Sequence, residues 1–270
     1  MNIDTIKDNP LAELLPDGGY TAIFRRIACV GDSLSSGEFE TLAADGTRRY
    51  HDIFEHSWGQ YLARMTGAKV YNFSRGGMTA REYCESFAEA NGMWDPEKAC
   101  QAYIIALGVN DIFGHNMPIG SLADVDFSHP ENNRPTFAGY YAKIIQKYKA
   151  MRPYARFFLV SMPKAGDDHP DNAKRRADAA ALLHSFAEAF SYTYVIDLFK
   201  YAPVYDAAFY EKFGLHGHLN PAGYLLTAKM IGTYIDHIIR SDFPAFRQAG
   251  LIDLPEYYDP ALDGVKGEQK

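Results

Sequence analysis

Gly31-Asp32-Ser33-Leu34 follows directly on the apolar run Ile27-Ala28-Cys29-Val30, so a hydroxyl sits where a strand ends and the chain must turn. A serine there, with a glycine just ahead to permit a tight backbone, has the placement of an acyl-transfer nucleophile. The same residues are also ordinary turn formers. Three further segments bear on the choice: Asn72-Phe73-Ser74-Arg75-Gly76-Gly77-Met78-Thr79, Ala106-Leu107-Gly108-Val109-Asn110-Asp111, and His216-Gly217-His218-Leu219-Asn220-Pro221-Ala222-Gly223-Tyr224.

Residues so far apart can cooperate only if the fold gathers them. Five apolar runs recur at wide intervals, Ile27 to Val30, Lys69 to Phe73, Ala102 to Leu107, Arg156 to Met162 and Thr193 to Leu198. Several are near-continuously apolar, as strands covered on both faces are. Between them, Phe137, Tyr140, Tyr141, Ile144, Ile145, Tyr148 and Met151 step by three and four, as do Ala179, Leu182, Leu183, Phe186 and Phe190. A last amphipathic helix carries Tyr224, Leu225, Ala228, Ile231, Ile235, Ile238 and Ile239, with Asn220 suited to its N-cap and Pro221 to its first position. Strands alternating with helices predict right-handed crossovers and a mostly parallel five-stranded sheet between helices, a three-layer α/β/α sandwich. Ligands of such sheets bind beyond the carboxyl ends of the strands. Ser33, Gly77 and Asn110 all fall just past the ends of the first three strands, on one rim.

Residues 34 to 56 and 111 to 135 read as long loops at that rim, expected to act as lids or specificity loops. The residues from Ser241 onward carry Phe243, Pro244, Phe246, Leu251, Leu254, Tyr257 and Tyr258 without clear periodicity, an arm packing on this subunit or on another.

A chain of 270 residues, 47% hydrophobic and 14% aromatic, can bury a large core, and no linker divides it. One domain over 1–270 is expected, with a core at about 27–240, an N-terminal extension over 1–26 and a C-terminal arm over 241–270. A net charge of −7 and a pI near 5.7 argue against a nucleic-acid or anionic-membrane partner. Arg25-Arg26, Arg48-Arg49 and Lys174-Arg175-Arg176 are short and separate, and read as solvated surface. Met1 to Pro16 lacks a basic n-region and a long apolar h-region, and no apolar stretch approaches ~18 residues, so a cytoplasmic protein without a transmembrane helix is expected. Cys29, Cys84 and Cys100 read as reduced structural thiols.

Taken together, the four segments resemble the motif blocks of the SGNH or GDSL hydrolase superfamily, in that family's order, from about Ile27 to Arg240. The resemblance implies a flavodoxin-like fold with Ser33 as nucleophile. It makes Gly77, in Gly76-Gly77-Met78-Thr79, the oxyanion-hole glycine. Asn110, in Gly108-Val109-Asn110-Asp111, becomes the side-chain oxyanion donor, and His218, ahead of Leu219-Asn220-Pro221-Ala222-Gly223-Tyr224, the base. In acyl transfer His218 would take the Ser33 proton as the hydroxyl attacks, while the backbone N–H groups of Ser33 and Gly77 and the Asn110 amide meet the developing oxyanion. Without its neighbours, Gly76-Gly77 would be a plain turn and Asn110 a loop brace.

One departure stands out, because the family usually has Asp three residues before the histidine and here that residue is Leu215. The Leu215 backbone carbonyl could accept the Nδ1 proton, a carboxylate such as Glu211, Asp206 or Asp197 could reach in, or activity could be lost. The reading taken is the backbone carbonyl and a Ser-His dyad, because the other motif residues are all present. His216 and His218 also have the spacing of a metal-ligand pair, but a third ligand must be found and Asp167-Asp168-His169 is as well explained as a polar loop. Asp197 is expected to brace a strand end, Trp58 to pack a helix on the sheet, and Trp94 is open between packing and substrate contact. The expected function is a serine esterase acting on a small oxygen ester, an acetylated carbohydrate being one class, with no metal or organic cofactor needed and a homo-oligomer compatible with it. The rival is an impaired or inert carbohydrate- or ligand-binding protein that kept the pocket.

Overall fold

Alternation within the apolar runs decides the architecture. The strands are β1 (Arg26–Gly31), β2 (Glu38–Leu42), β3 (Arg48–Asp52), β4 (Lys69–Ser74), β5 (Ala102–Ala106), β6 (Arg156–Val160), β7 (Thr193–Ile196), β8 (Gly214–Leu215) and β9 (His218–Leu219). In β1, Ala28 and Val30 face one apolar cluster and Ile27 and Cys29 the opposite one; in β6, Phe157 and Leu159 are likewise set against Phe158 and Val160. Strands apolar on both faces need cover on both. In this computed structural model, which describes residues 8–166 and 168–263, β4-β1-β5-β6-β7 form one sheet with every neighbouring pair parallel.

The helices are α1 (Ser33–Ser36), α2 (Trp58–Thr66), α3 (Ala80–Glu82), α4 (Ala88–Ala90), α5 (Phe137–Met151), α6 (Pro170–Ala189), α7 (Leu198–Tyr201), α8 (Ala207–Phe213) and α9 (Pro221–Ser241). Buried residues of α5 and α6 pack on one face of the sheet, and those of α2 and α9, Trp58 and Leu62 against Ala228, Ile231 and Ile235, on the other. Layers of this kind make an α/β/α sandwich. The chain leaves β1 for β4 on one side and returns to β5 on the other, which opens a crevice at the carboxyl ends of β1 and β5.

Each of the five expected strands is present, with ends displaced by at most two residues. Helix α9 starts as expected, Asn220 accepting from the Gly223 N–H at 2.9 Å with Pro221 in first position. Residues 34 to 56 differ from expectation. They are not an irregular loop: α1 leads into β2, and β2 pairs antiparallel with β3 as a hairpin standing beside the sheet. The ribbon escaped a search for apolar runs because β3 is exposed along its whole length.

The terminal segments pack on the same chain. The Leu15 N–H donates to Thr233 Oγ1 at 3.0 Å and the Tyr20 N–H to Asp236 Oδ1 at 2.7 Å, both on α9. At the other end, Arg156, fully buried at the start of β6, donates to the Ala245 carbonyl and pairs with Asp263 at 2.8 Å. The remainder of the arm, residues 264–270, lies outside the described residues, as do residues 1–7 and Asp167.

Candidate active site

Gly31 closes β1 where no side chain fits. An added Cβ would lie 2.1 Å from Ser35 Oγ and 3.0 Å from the Ala106 carbonyl, so the turn into α1 needs a bare backbone there. Asp32 then caps α1, its carboxylate accepting from the Leu34 N–H at 3.1 Å, and Ser33 opens the helix. Burial pushes the Asp32 carboxyl up to about 7; the Leu34 N–H opposes that rise, and the nearby charges of Asp111 and Glu38 add to it.

The loops after β4 and β5 are tied to each other. Asn110 donates its amide to the Met78 carbonyl at 3.0 Å, and both carboxylate oxygens of the buried Asp111 accept from the Ala80 N–H, at 2.9 and 3.0 Å. Asn110 therefore does brace a loop, with one of the two N–H groups that an amide carries. That loop holds Gly77 at a φ of 71°, a left-handed conformation that favours glycine, with open space where a Cβ would stand.

His218 comes from the opposite side, on the short hairpin of β8 and β9, where Leu215 pairs with His218 across the turn His216-Gly217. Ser33, Asn110 and His218 line one cavity of about 280 Å³. Gly77 and His216 are not among its lining residues, and His216 sits exposed in the hairpin turn at a φ of 54°. Arg176 lines the cavity too, its side chain 15% exposed and its Nε 2.5 Å from Asp168, so this member of the basic triplet is not solvated surface.

The imidazole of His218 lies between two carboxylates of the β2 strand. Its Nε2 is 3.1 Å from Glu38 Oε1 and its Nδ1 is 3.7 Å from Glu40 Oε2. Glu40 is 1% exposed and fixed from behind by Arg48 at 2.7 Å and by the Gly217 N–H at 3.1 Å. Burial raises the Glu38 carboxyl, against the lowering influence of His218. Tyr50 of β3 closes the group, its exposed ring 5.9 Å from the imidazole and edge-on to it.

This corrects the expectation at Leu215. The buried Nδ1 of His218 makes no hydrogen bond, so the Leu215 carbonyl does not accept from it. Nor does any of the other three carboxylates considered bond to it: Asp197 accepts from Ser161 and pairs with His184, Asp206 caps α8, and Glu211 lies exposed on that helix. Glu38 and Glu40 were missed because they belong to the unrecognised hairpin. Asp45-Gly46 was the usable signal, since Asp-Gly between short strands favours a hairpin turn and Gly46 adopts a φ of 81° there.

The remaining candidates have plain surroundings. Trp94 packs edge-on to Tyr83 and against Tyr148 in the core. Cys29, Cys84 and Cys100 are free thiols, and burial pushes Cys84 and Cys100 up to about 12, which makes them poor nucleophiles. Among the described residues, no three His, Cys, Asp or Glu side chains are grouped so as to hold a metal, and no helix is long and apolar enough to cross a membrane.

Comparison with known proteins gives the family and the fold. A family model described as GDSL-like lipase/acylhydrolase matches residues 29–226. Among solved structures, a protein from Lactobacillus plantarum is 19% identical, with a TM-score of 0.56 over 79% of this chain and 97% of that one. An active-site mutant of a family two carbohydrate esterase from Clostridium thermocellum is 16% identical, with a TM-score of 0.52 over 78% of this chain and 63% of that one. A family 3 carbohydrate esterase from the same organism is also 16% identical, with a TM-score of 0.50 over 80% and 97%. At these identities the likeness is one of fold. A search of curated protein sequences finds no match.

Proposed function

Because this chain belongs to the GDSL-like lipase/acylhydrolase family, a family of ester hydrolases, we propose that it is a serine esterase working through an acyl-enzyme on Ser33. The observation that carries the reading is the meeting of Ser33, Asn110 and His218 around one cavity, from the ends of β1 and β5 and from the β8–β9 hairpin.

On this reading Ser33 Oγ attacks the ester carbonyl carbon as His218 takes its proton, giving a tetrahedral intermediate whose oxyanion meets the Ser33 and Gly77 N–H groups and the Asn110 amide. The imidazolium returns the proton to the leaving alcohol, and water then releases the acid by the same steps in reverse. Attack requires the His218 ring to swing Nε2 from Glu38 toward Ser33 while Nδ1 closes on Glu40, a tightening common when substrate binds. Glu40 is thus the carboxylate that orients the base.

The substrate is a small oxygen ester. The carbohydrate esterases among the structural neighbours favour a sugar as the alcohol side of that ester, and exposed Tyr50 beside His218 offers a ring on which a sugar can stack. The test is hydrolysis of p-nitrophenyl acetate. Ser33→Ala should lower kcat at least about 1000-fold with the fold intact by circular dichroism. Hydrolysis at the uncatalysed background rate by both proteins would instead favour a ligand-binding protein that has lost its chemistry.

A further inference from the structure

We infer that a second, apolar cavity next to the Ser33 site is an acyl-chain subsite for a linear chain of about three carbons beyond the ester carbonyl, so that butyryl esters are turned over best; the inference rests on the acyl-enzyme reading above. The cavity has a volume of about 70 Å³ and is walled by Trp58 of α2, Leu107 and Val160 at the ends of β5 and β6, Leu198 of α7 and Ile231 of α9, all buried. It shares Asp32, Leu34, Val109, Met162, Tyr205 and Leu219 with the cavity that holds Ser33 and His218, so the two spaces adjoin across the residues on either side of Ser33, which itself lines only the larger one.

The polar groups in this wall are turned to partners of their own. Ser161 Oγ donates to Asp197 at 3.1 Å and accepts from the Phe199 N–H at 2.9 Å, and Thr227 Oγ1 donates to the Gly223 carbonyl at 2.9 Å. Ser35 Oγ, buried without a partner, is the exception. A cavity so lined offers water few hydrogen bonds and suits hydrocarbon. An engineered apolar cavity of about 150 Å³ takes the six carbons of benzene, so about half that volume takes about three. An acetyl group would leave the space unfilled, and a chain much longer than four carbons would overrun it.

The experiment is kcat/KM for p-nitrophenyl acetate, butyrate, hexanoate and octanoate with the wild-type chain, Ser33→Ala, Ile231→Phe and Ile231→Ala. Wild type should prefer butyrate over acetate by about tenfold, the return on two buried methylenes, with octanoate below butyrate. Ile231→Phe, which fills the cavity, should abolish the butyrate advantage while acetate changes less than about threefold, and Ile231→Ala, which enlarges it, should move the optimum to hexanoate. Should the larger side chain prevent folding, the wild-type series and Ile231→Ala decide. Ser33-dependent turnover that is flat or falls from acetate to butyrate overturns the subsite and leaves the esterase standing. Turnover that survives Ser33→Ala overturns the acyl-enzyme and the subsite together.

Discussion

At the scale of single residues, the feature with the largest consequence for the proposed chemistry is Glu40. A buried carboxylate behind Nδ1 holds an imidazole in one orientation and stabilises the cation it becomes. Glu40→Gln removes that charge and keeps one acceptor oxygen where Glu40 offers two, one to Arg48 and one to the Gly217 N–H. It should lower kcat on p-nitrophenyl butyrate by about 100- to 10,000-fold with little change in KM. Adding Leu215→Asp puts a carboxylate at the position where the family usually carries one, and should recover about tenfold or more if orientation of His218 is what was lost; a double variant no better than Glu40→Gln would deny Glu40 that role. A second prediction concerns Asp32. Its carboxyl titrates at about 7 in the fold against 3.8 when free. From roughly pH 4 to 7 the folded chain therefore keeps a proton that the unfolded chain has released, so stability falls as pH rises through that window and levels above it. Asp32→Asn, which can still accept from the Leu34 N–H, should flatten the decline by up to about 4 kcal/mol, leaving the share due to Glu38 and Asp111, whose carboxyls burial also raises. Urea midpoints between pH 4 and 8 read this directly. Ser33, Asn110 and His218 could be picked out because each lies in a recognisable local string. Glu38 and Glu40 could not, because an acid that meets its partner 178 or more residues along the chain leaves no local pattern.

At the scale of elements, the sheet and its large helices were legible because burial on both faces forces continuous apolar runs in the strands and three-four spacing in the helices. The polar ribbon of β2 and β3 has neither pattern. Its β3 strand buries nothing and is held by pairing with β2 and by contacts at its inner edge, such as Ser36 Oγ to Asp52 at 2.6 Å. The hairpin carrying His218 is held differently, by Asn220. That side chain caps α9 and also donates to the Lys212 and Gly214 carbonyls at 2.8 and 3.3 Å. Asn220→Ala should cost about 1–2 kcal/mol of stability. Asn220→Asp keeps the cap but cannot donate, so it should retain most of the stability yet lower kcat severalfold by loosening the hairpin. Thermal unfolding and steady-state rates on the same two variants separate the two duties.

At the scale of the whole molecule, the described terminal segments are bound to the sandwich by polar anchors and by scattered apolar side chains such as Phe246 and Ile252, without a periodic apolar face, which is why the arm could be seen in the sequence but its resting place could not. Asp263 accepts from Arg156, from Tyr258 at 2.8 Å and from the Gln248 N–H at 3.2 Å. Asp263→Asn strands the Arg156 cation in the interior and should destabilise the chain by about 3–5 kcal/mol, measured by urea unfolding, while kcat of the protein that remains folded is unchanged. A loss below about 1 kcal/mol would show that the arm contributes little to the stability of the sandwich.

The ribbon places Glu38 and Glu40 within seven residues of Ser33 along the backbone, so on the proposed chemistry the attacking hydroxyl and the acid behind the base travel as a single cassette. Swapping residues 33–52 into a relative that carries its own aspartate before the histidine would give an enzyme with two acids competing for one imidazole. Its activity against pH would report which of the two directs the ring.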